Sequence, residues 1–212
     1  MMDPKMKNKL VLIAGGTSSG KTTITMEIAK RLACFSTVCL SMDNYYRHLP
    51  GRDKEFYKNY DFDRPEAIEG TRFAADLKAL AAGEYVDEIR YDFTTHSRRC
   101  TDARIVPPPF GGLLIAEGIF ALHFDEICNA ADLKIFISAE EETMLNRRMD
   151  RDCTQRGRTP ESVREQFMRF VIPTHRKFVR PGKDKADIVV RSEDEMEVNA
   201  EFLTEKIKEI LS

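Results

Sequence analysis

Gly15-Gly16-Thr17-Ser18-Ser19-Gly20-Lys21-Thr22 follows the apolar run Leu10-Val11-Leu12-Ile13-Ala14 and opens a stretch with helical spacing. The eight residues match G-x-x-x-x-G-K-[ST], and each fixed position has a physical purpose. Glycines let successive backbone N–H groups turn inward around an oxyanion. The lysine reaches the β- and γ-phosphates of a nucleotide, and the hydroxyl can ligate Mg²⁺. A helix that starts here aims the positive end of its dipole at the same phosphates. The strand–loop–helix setting is the context that such a phosphate loop requires. Gly15, Gly16, Thr17, Ser18, Ser19, Gly20, Lys21, Thr22 and the adjoining Thr23 are therefore the expected binding residues for a nucleoside triphosphate.

Outward from this loop, short apolar runs alternate with helical periodicity. Residues 10–14, 38–42, 113–116, 133–138 and 187–190 read as buried strands. Residues 21–35 place Ile24, Ile28, Ala29 and Leu32 on one helical face. Further helices are expected over 71–82, stopped by Gly83, and over 139–152, 160–179 and 193–211. Thr159 before Pro160 reads as an N-cap followed by proline at the first helical position. Residues 43–70 lack periodicity and are expected to be loop with short helical pieces. Residues 84–93 read as a strand or hairpin arm, closed by the proline-rich stretch 104–112. The fold class is α/β: a P-loop three-layer α/β/α domain with a mainly parallel five-stranded sheet. A small β-hairpin excursion and an arginine-rich helical lid complete it. One domain over 1–212 is expected, with the lid at about 147–165 and an acceptor-binding excursion at about 43–110.

Three further groups of residues carry chemistry. Asp43 follows strand 38–42 and Glu117 follows strand 113–116. In open α/β sheets, ligands sit outside the carboxyl ends of the strands, so both carboxylates should face the phosphate loop. One could hold Mg²⁺ and one could accept a proton from an attacking hydroxyl. Arg147, Arg148, Arg151, Arg156 and Arg158 form a basic cluster suited to stabilising a transferring phosphoryl group from a closing lid. Alone, the cluster would read as a solvated helix paired with Glu142, Asp150 and Asp152. The stretches Asn59-Tyr60-Asp61-Phe62-Asp63-Arg64-Pro65 and Tyr91-Asp92-Phe93-Thr94-Thr95-His96-Ser97-Arg98 mix aromatics with Asp, His and Arg. Such a mixture suits a flat heterocycle carrying a sugar.

Composition narrows the class. The 212 residues carry a formal net charge of −2, with 42% apolar and 32% charged residues, as in an ordinary soluble globular protein. A dedicated nucleic-acid binder would carry a basic excess, so no nucleic-acid partner is expected. The five cysteines are odd in number and scattered, which suggests reduced thiols in a cytoplasmic protein. No apolar run is long enough for a signal peptide or membrane span, so no membrane partner is expected.

Taken in order, GGTSSGKTT, SMDNYY, NYDFDRPEAI, YDFTTHSR, EGIF, RRMDRDCTQRGRT, VIPTHRKFVRP and KADIVV resemble the uridine kinase (uridine/cytidine kinase) family over nearly the whole chain. The resemblance implies transfer of the γ-phosphoryl group of ATP or GTP to the 5′-hydroxyl of uridine or cytidine in pyrimidine salvage. It implies Asp43 as catalytic base, and Lys21, Arg151 and Arg156 on the phosphates. Thr22, Glu117 and Asp43 would serve Mg²⁺. Asp63 and Arg148 match residues that hold the ribose, Tyr91 and His96 the pyrimidine edge, and Phe62 and Phe93 the ring. Tyr46, Arg158 and Gln166 match other substrate-pocket positions. A homotetramer inhibited by pyrimidine triphosphates is implied as well. Arg64 stands where the family usually has His, and it is expected to alter the substrate pocket or pair with a lid carboxylate. Two other readings remain open: a kinase of another small hydroxylated metabolite, of phosphoribulokinase or pantothenate-kinase type, and a non-catalytic nucleotide-binding regulator.

Overall fold

The computed structural model describes residues 8–212. Most of the N-terminal segment read above for targeting signals, residues 1–7, lies outside them. In chain order the strands are β1 (Lys9–Gly15), β2 (Val38–Ser41), β3 (Val86–Asp92), β4 (Ser97–Ile105), β5 (Leu113–Gly118), β6 (Leu133–Ser138) and β7 (Ile188–Arg191). The helices are α1 (Lys21–Arg31), α2 (Lys54–Asn59), α3 (Gly70–Ala81), α4 (Asp125–Ala130), α5 (Glu141–Gln155), α6 (Pro160–Gln166), α7 (Ile172–Thr174), α8 (Gly182–Lys185) and α9 (Met196–Leu211).

Five strands pair in parallel in the order β2-β5-β1-β6-β7, and β3 with β4 forms a separate antiparallel hairpin. The expected α/β architecture is present, and β1 lies at the centre of the five-stranded sheet. Because side chains alternate across a strand, each apolar run feeds two cores. Leu10, Leu12, Leu114, Ala116 and Phe136 face a cluster containing Phe73, Leu77, Leu80 and Phe120. Val11, Ile13, Leu113, Ile115 and Ile137 face Ile24, Ile28 and Leu32 at α1 and Ala200, Leu203 and Ile207 of α9. A smaller cluster of Met144, Phe167, Val171 and Ile172 ties α5 to the helices that follow it.

Several element boundaries differ from the sequence expectation. The helix expected over 21–35 ends at Arg31 and is followed by a 3-10 turn, Ala33–Phe35. Ser36 closes that turn in the left-handed region (φ 52°), and Thr37 Oγ1 donates to the Leu32 carbonyl at 2.8 Å. The helix expected over 160–179 is a continuous run, but it widens into π-helical turns at Phe167–Val171 and His175–Val179. Pro173 lies between them. It has no N–H to donate and its ring crowds the preceding turn, so the wider turns accommodate it. The N-cap at Thr159 is as expected, its Oγ1 accepting from Ser162 N at 3.3 Å. The small β-hairpin is present as expected, though its second arm β4 was given no range, and the short helix α4 had no counterpart in the sequence reading.

Candidate active site

The phosphate loop joins β1 to α1. Ser18 (φ 55°) and Gly20 (φ 84°) both take the left-handed conformation, the first at a cost that glycine would not incur. Gly16 is packed so tightly that a Cβ would meet Met144 and come within 3.0 Å of His175 Cε1. Lys21 is buried, with Nζ 3.5 Å from the Gly16 carbonyl, folded back over the loop. The Ser18 and Ser19 hydroxyls are buried without partners.

Sheet register places the acidic group. Ser41 pairs with Glu117 across β2 and β5, and Ile13 pairs with Glu117 across β1 and β5. The strand ends therefore converge beside the loop. Glu117 Oε1 accepts from Ser41 Oγ at 2.6 Å and from Thr22 Oγ1 at 3.3 Å. Its Oε2 is buried with no hydrogen-bond partner. Burial pushes the Glu117 carboxyl above its ordinary pKa against the opposing charge of Lys21, and Asp43 adds to the rise. An orphaned carboxylate oxygen beside a threonine hydroxyl is a hard-oxygen donor set, and it fits Mg²⁺ shared with phosphate oxygens and water. Asp43 begins one position into the turn Met42–Tyr45, held by its N–H donating to Ser41 Oγ at 3.4 Å.

Lys21 and Asp43 open onto a cleft of about 450 Å³ that also takes in Thr17, Tyr46, Phe62, Asp63, Phe93, His96, Arg148, Arg151, Arg156, Arg158 and Gln166. Thus most of the residues singled out in the sequence do meet in one place. Tyr91 and Glu117 stand one layer behind its wall. The cleft has an aromatic end: Phe62 stacks on His96 with centroids 4.5 Å apart, and Tyr46 contacts Phe93 edge-on at 5.6 Å. Tyr91 Oη approaches His96 Nδ1 at 3.5 Å. Burial raises the Tyr91 phenol pKa, so it remains a proton donor. Burial lowers the His96 pKa and the nearby Arg156 adds to this, so the imidazole is neutral near pH 7.

Between the aromatic end and the phosphate loop lies a buried ionic bridge. Arg148 reaches Asp63 with two contacts, at 3.3 and 3.4 Å, and donates to Thr17 Oγ1 at 3.1 Å. Gln166 Oε1 accepts from Arg148 at 3.2 Å and also from Arg158. Sequence reasoning assigned Asp152 only to a solvated helix surface. It is in fact fully buried and is the shared anion for Arg148, Arg151, Arg156 and Arg158, at 3.6, 2.9, 3.3 and 3.7 Å. One carboxylate cannot neutralise four guanidinium groups, and Asp63 engages only Arg148. Burial, followed by neighbouring arginines, depresses the Arg156 and Arg158 pKa values. A phosphate in the cleft would relieve that crowding. The lid also touches the aromatic end, with Arg156 stacked 4.3 Å over the Phe93 ring.

Two arginines depart from expectation. Arg147 leaves the cluster and binds Ser192 Oγ and, at 3.1 Å, the Ser192 carbonyl. Arg64 neither lines the cleft nor pairs with a lid carboxylate. It is exposed and lies 3.7 Å from its own neighbour Asp61, beside a separate groove. Asp61 is held in turn by Thr174, whose hydroxyl donates to it at 3.2 Å, so the i,i+3 partner captures Arg64. Tyr57, Lys54 and Lys58 of α2 and Arg169 also line the cleft and were not anticipated. No metal-binding group of three or more His, Cys, Asp or Glu side chains occurs among the described residues, nor is any helix there long and apolar enough to cross a membrane.

Comparison with known proteins bears on the family and the fold. Residues 10–199 match the Phosphoribulokinase / Uridine kinase family. The chain is 36% identical over 178 residues to a uridine kinase of Deinococcus deserti, covering 84% of each chain. It is 34% identical over 208 residues to a uridine kinase of Staphylococcus haemolyticus, covering 98% of this chain and 99% of the relative. Its fold is similar to phosphoribulokinase from Rhodobacter spheroides, with a TM-score of 0.66 at 18% identity, over 88% of this chain and 70% of that one.

Proposed function

The chain belongs to the phosphoribulokinase / uridine kinase family of kinases, and we propose that within it this protein transfers the γ-phosphoryl group of ATP or GTP to the 5′-hydroxyl of uridine, and also of cytidine. One observation carries the choice of acceptor. The cleft that holds Lys21 and Asp43 at one end is lined at the other by Phe62, Phe93 and His96, with the Arg148–Asp63 bridge between them. A sugar phosphate or a purely polar alcohol would have no use for the aromatic end. A base, a ribose and a 5′-hydroxyl in sequence match the cleft from end to end. The names of the relatives support the same acceptor.

Asp43 accepts the proton of the 5′-hydroxyl as its oxygen forms a bond to the γ-phosphorus. The bond from that phosphorus to the bridging oxygen breaks, and ADP or GDP leaves with the electron pair. Lys21, Arg151 and Arg156 stabilise the charge spread over the transferring oxygens. Thr22 and Glu117 would hold Mg²⁺, with Asp43 nearby; when bound, the ion supplies charge neutralisation on the β- and γ-phosphate oxygens. Asp63 and Arg148 orient the ribose hydroxyls, with Arg158, Gln166 and Tyr46 shaping the pocket around them. Neutral His96 presents a hydrogen-bonding edge to the base, with Tyr91 behind it against its Nδ1, and Phe62 and Phe93 pack the ring. A homotetramer working in cytoplasmic pyrimidine salvage completes the proposal and rests on the resemblance.

An Asp43→Asn variant tests the mechanism. With uridine and Mg-ATP its kcat should fall by about 10²–10⁴-fold, the usual contribution of a positioned base. Undiminished turnover would remove Asp43 from that role.

A further inference from the structure

Tyr57 lies on α2, a short helix outside the sheet, yet its ring stacks on His96 with centroids 4.2 Å apart and planes 28° apart. His96 is held on a second side by Phe62 and sits in a left-handed backbone conformation (φ 50°), which is uncommon outside glycine. The strand hairpin therefore does not position this imidazole unaided. The segment before α2 is knitted to the hairpin turn: Leu49 N donates to the His96 carbonyl at 2.9 Å, and Arg98 N donates to His48 Nδ1 at 2.9 Å. Tyr57 closes the unit, its hydroxyl donating to the Leu49 carbonyl at 2.7 Å and accepting from Arg52 N at 3.1 Å.

We propose that Tyr57 is a positioning residue of the acceptor site, setting the plane of His96 and through it the recognition of a flat heteroaromatic base. The role rests on the nucleoside-kinase reading above. It assigns α2 to acceptor selection rather than to the phosphate chemistry. The face of Tyr57 supplies the stack, so Tyr57→Phe retains it, whereas Tyr57→Ala releases the imidazole.

Steady-state kinetics with uridine and Mg-ATP, together with the His96 ring proton resonances of the ligand-free protein, test this. Tyr57→Ala should raise the KM for uridine roughly three- to tenfold, the scale of one aromatic pair. The kcat and the KM for ATP should stay within about twofold, and Tyr57→Phe should restore the uridine KM. The part of the His96 ring-current shift that Tyr57 adds to that of Phe62 should be lost in Tyr57→Ala and kept in Tyr57→Phe. Equal rises in both KM values, an unchanged uridine KM or an unmoved His96 resonance would overturn the proposal. A wild-type protein that phosphorylates no nucleoside would overturn the underlying function as well, which separates the two failures.

Discussion

Two residues shape the cleft through other side chains: Asp152 gathers four arginines, and Tyr57 stacks on His96. Lys21 and Thr22 are legible in the sequence because their roles depend on a local loop. Asp43 and Glu117 follow from the rule that ligands meet strand ends. Asp152 was missed as a functional group, although its spacing from Arg148 and Arg156, four residues each way, was available as a signal. Burial is what turns that acid from a surface partner into a hub, and burial depends on the lid folding back. Tyr57 gave no signal, because its meeting with His96 is a contact between distant segments. Arg64 gave a misleading one, since nothing local says that Thr174 fixes Asp61 beside it. Arg64→His should therefore leave the uridine KM within about twofold, as for a surface exchange away from the site. A larger change in measured KM would place Arg64 in the pocket after all. His96 predicts a pH dependence. Its depressed pKa means the folded protein binds fewer protons there than the unfolded chain. Its contribution to stability is thus present above an ordinary imidazole pKa of about 6.5 and is lost as pH falls from there toward the folded value. The KM for uridine should be flat down to about pH 6.5 and rise only below it, checked by a pH profile alongside NMR titration of His96.

At the scale of elements, the parallel strands and α1 were readable because continuous apolar runs and helical spacing report burial directly. α2 has six residues, four of them polar or charged, and no periodic face. β4 is largely exposed and rich in charge, so it carries little of the alternation expected of a half-buried strand. β4 owes its form to pairing with β3, and α2 packs on the hairpin turn through Tyr57 and His96. The lid illustrates an element whose energetics depend on one residue. Asp152→Ala would leave the buried Arg148 with Asp63 alone and deprive the partly exposed Arg151, Arg156 and Arg158 of their shared anion. A loss of about 3–5 kcal/mol is expected for breaking a buried ion pair from one side. Chemical denaturation of the variant checks it, and a stability within 1 kcal/mol of wild type, well under that range, would mean that water already reaches the cluster. The same change should weaken ATP binding, because the arginines would no longer converge.

For the whole molecule, we propose that sheet, hairpin and lid form one domain over residues 1–212. The hairpin packs into the same apolar cluster as β1 and β5 through Val86, Ile89 and Tyr91. Arg148 of the lid is bridged to the 60s loop through Asp63. A single cooperative thermal transition is therefore expected by calorimetry, shifted upward by Mg-ATP through mass action. The arrangement also explains how one cleft joins two recognition problems. Charge is concentrated where the lid meets the phosphate loop, beside Lys21 and Asp43, and flat apolar surface is concentrated where α2 meets the hairpin, with the Arg148–Asp63 bridge between them. The proposed nucleoside-kinase activity rests on that arrangement. Its most direct test is incubation of the purified protein with Mg-ATP and a panel of nucleosides and small alcohols, with the phosphorylated product measured. Uridine should yield uridine monophosphate, with ADP formed in equal amount and only when the nucleoside is present. No pyrimidine nucleoside product beside turnover of another alcohol, or ATP binding without any acceptor-dependent turnover, would contradict it.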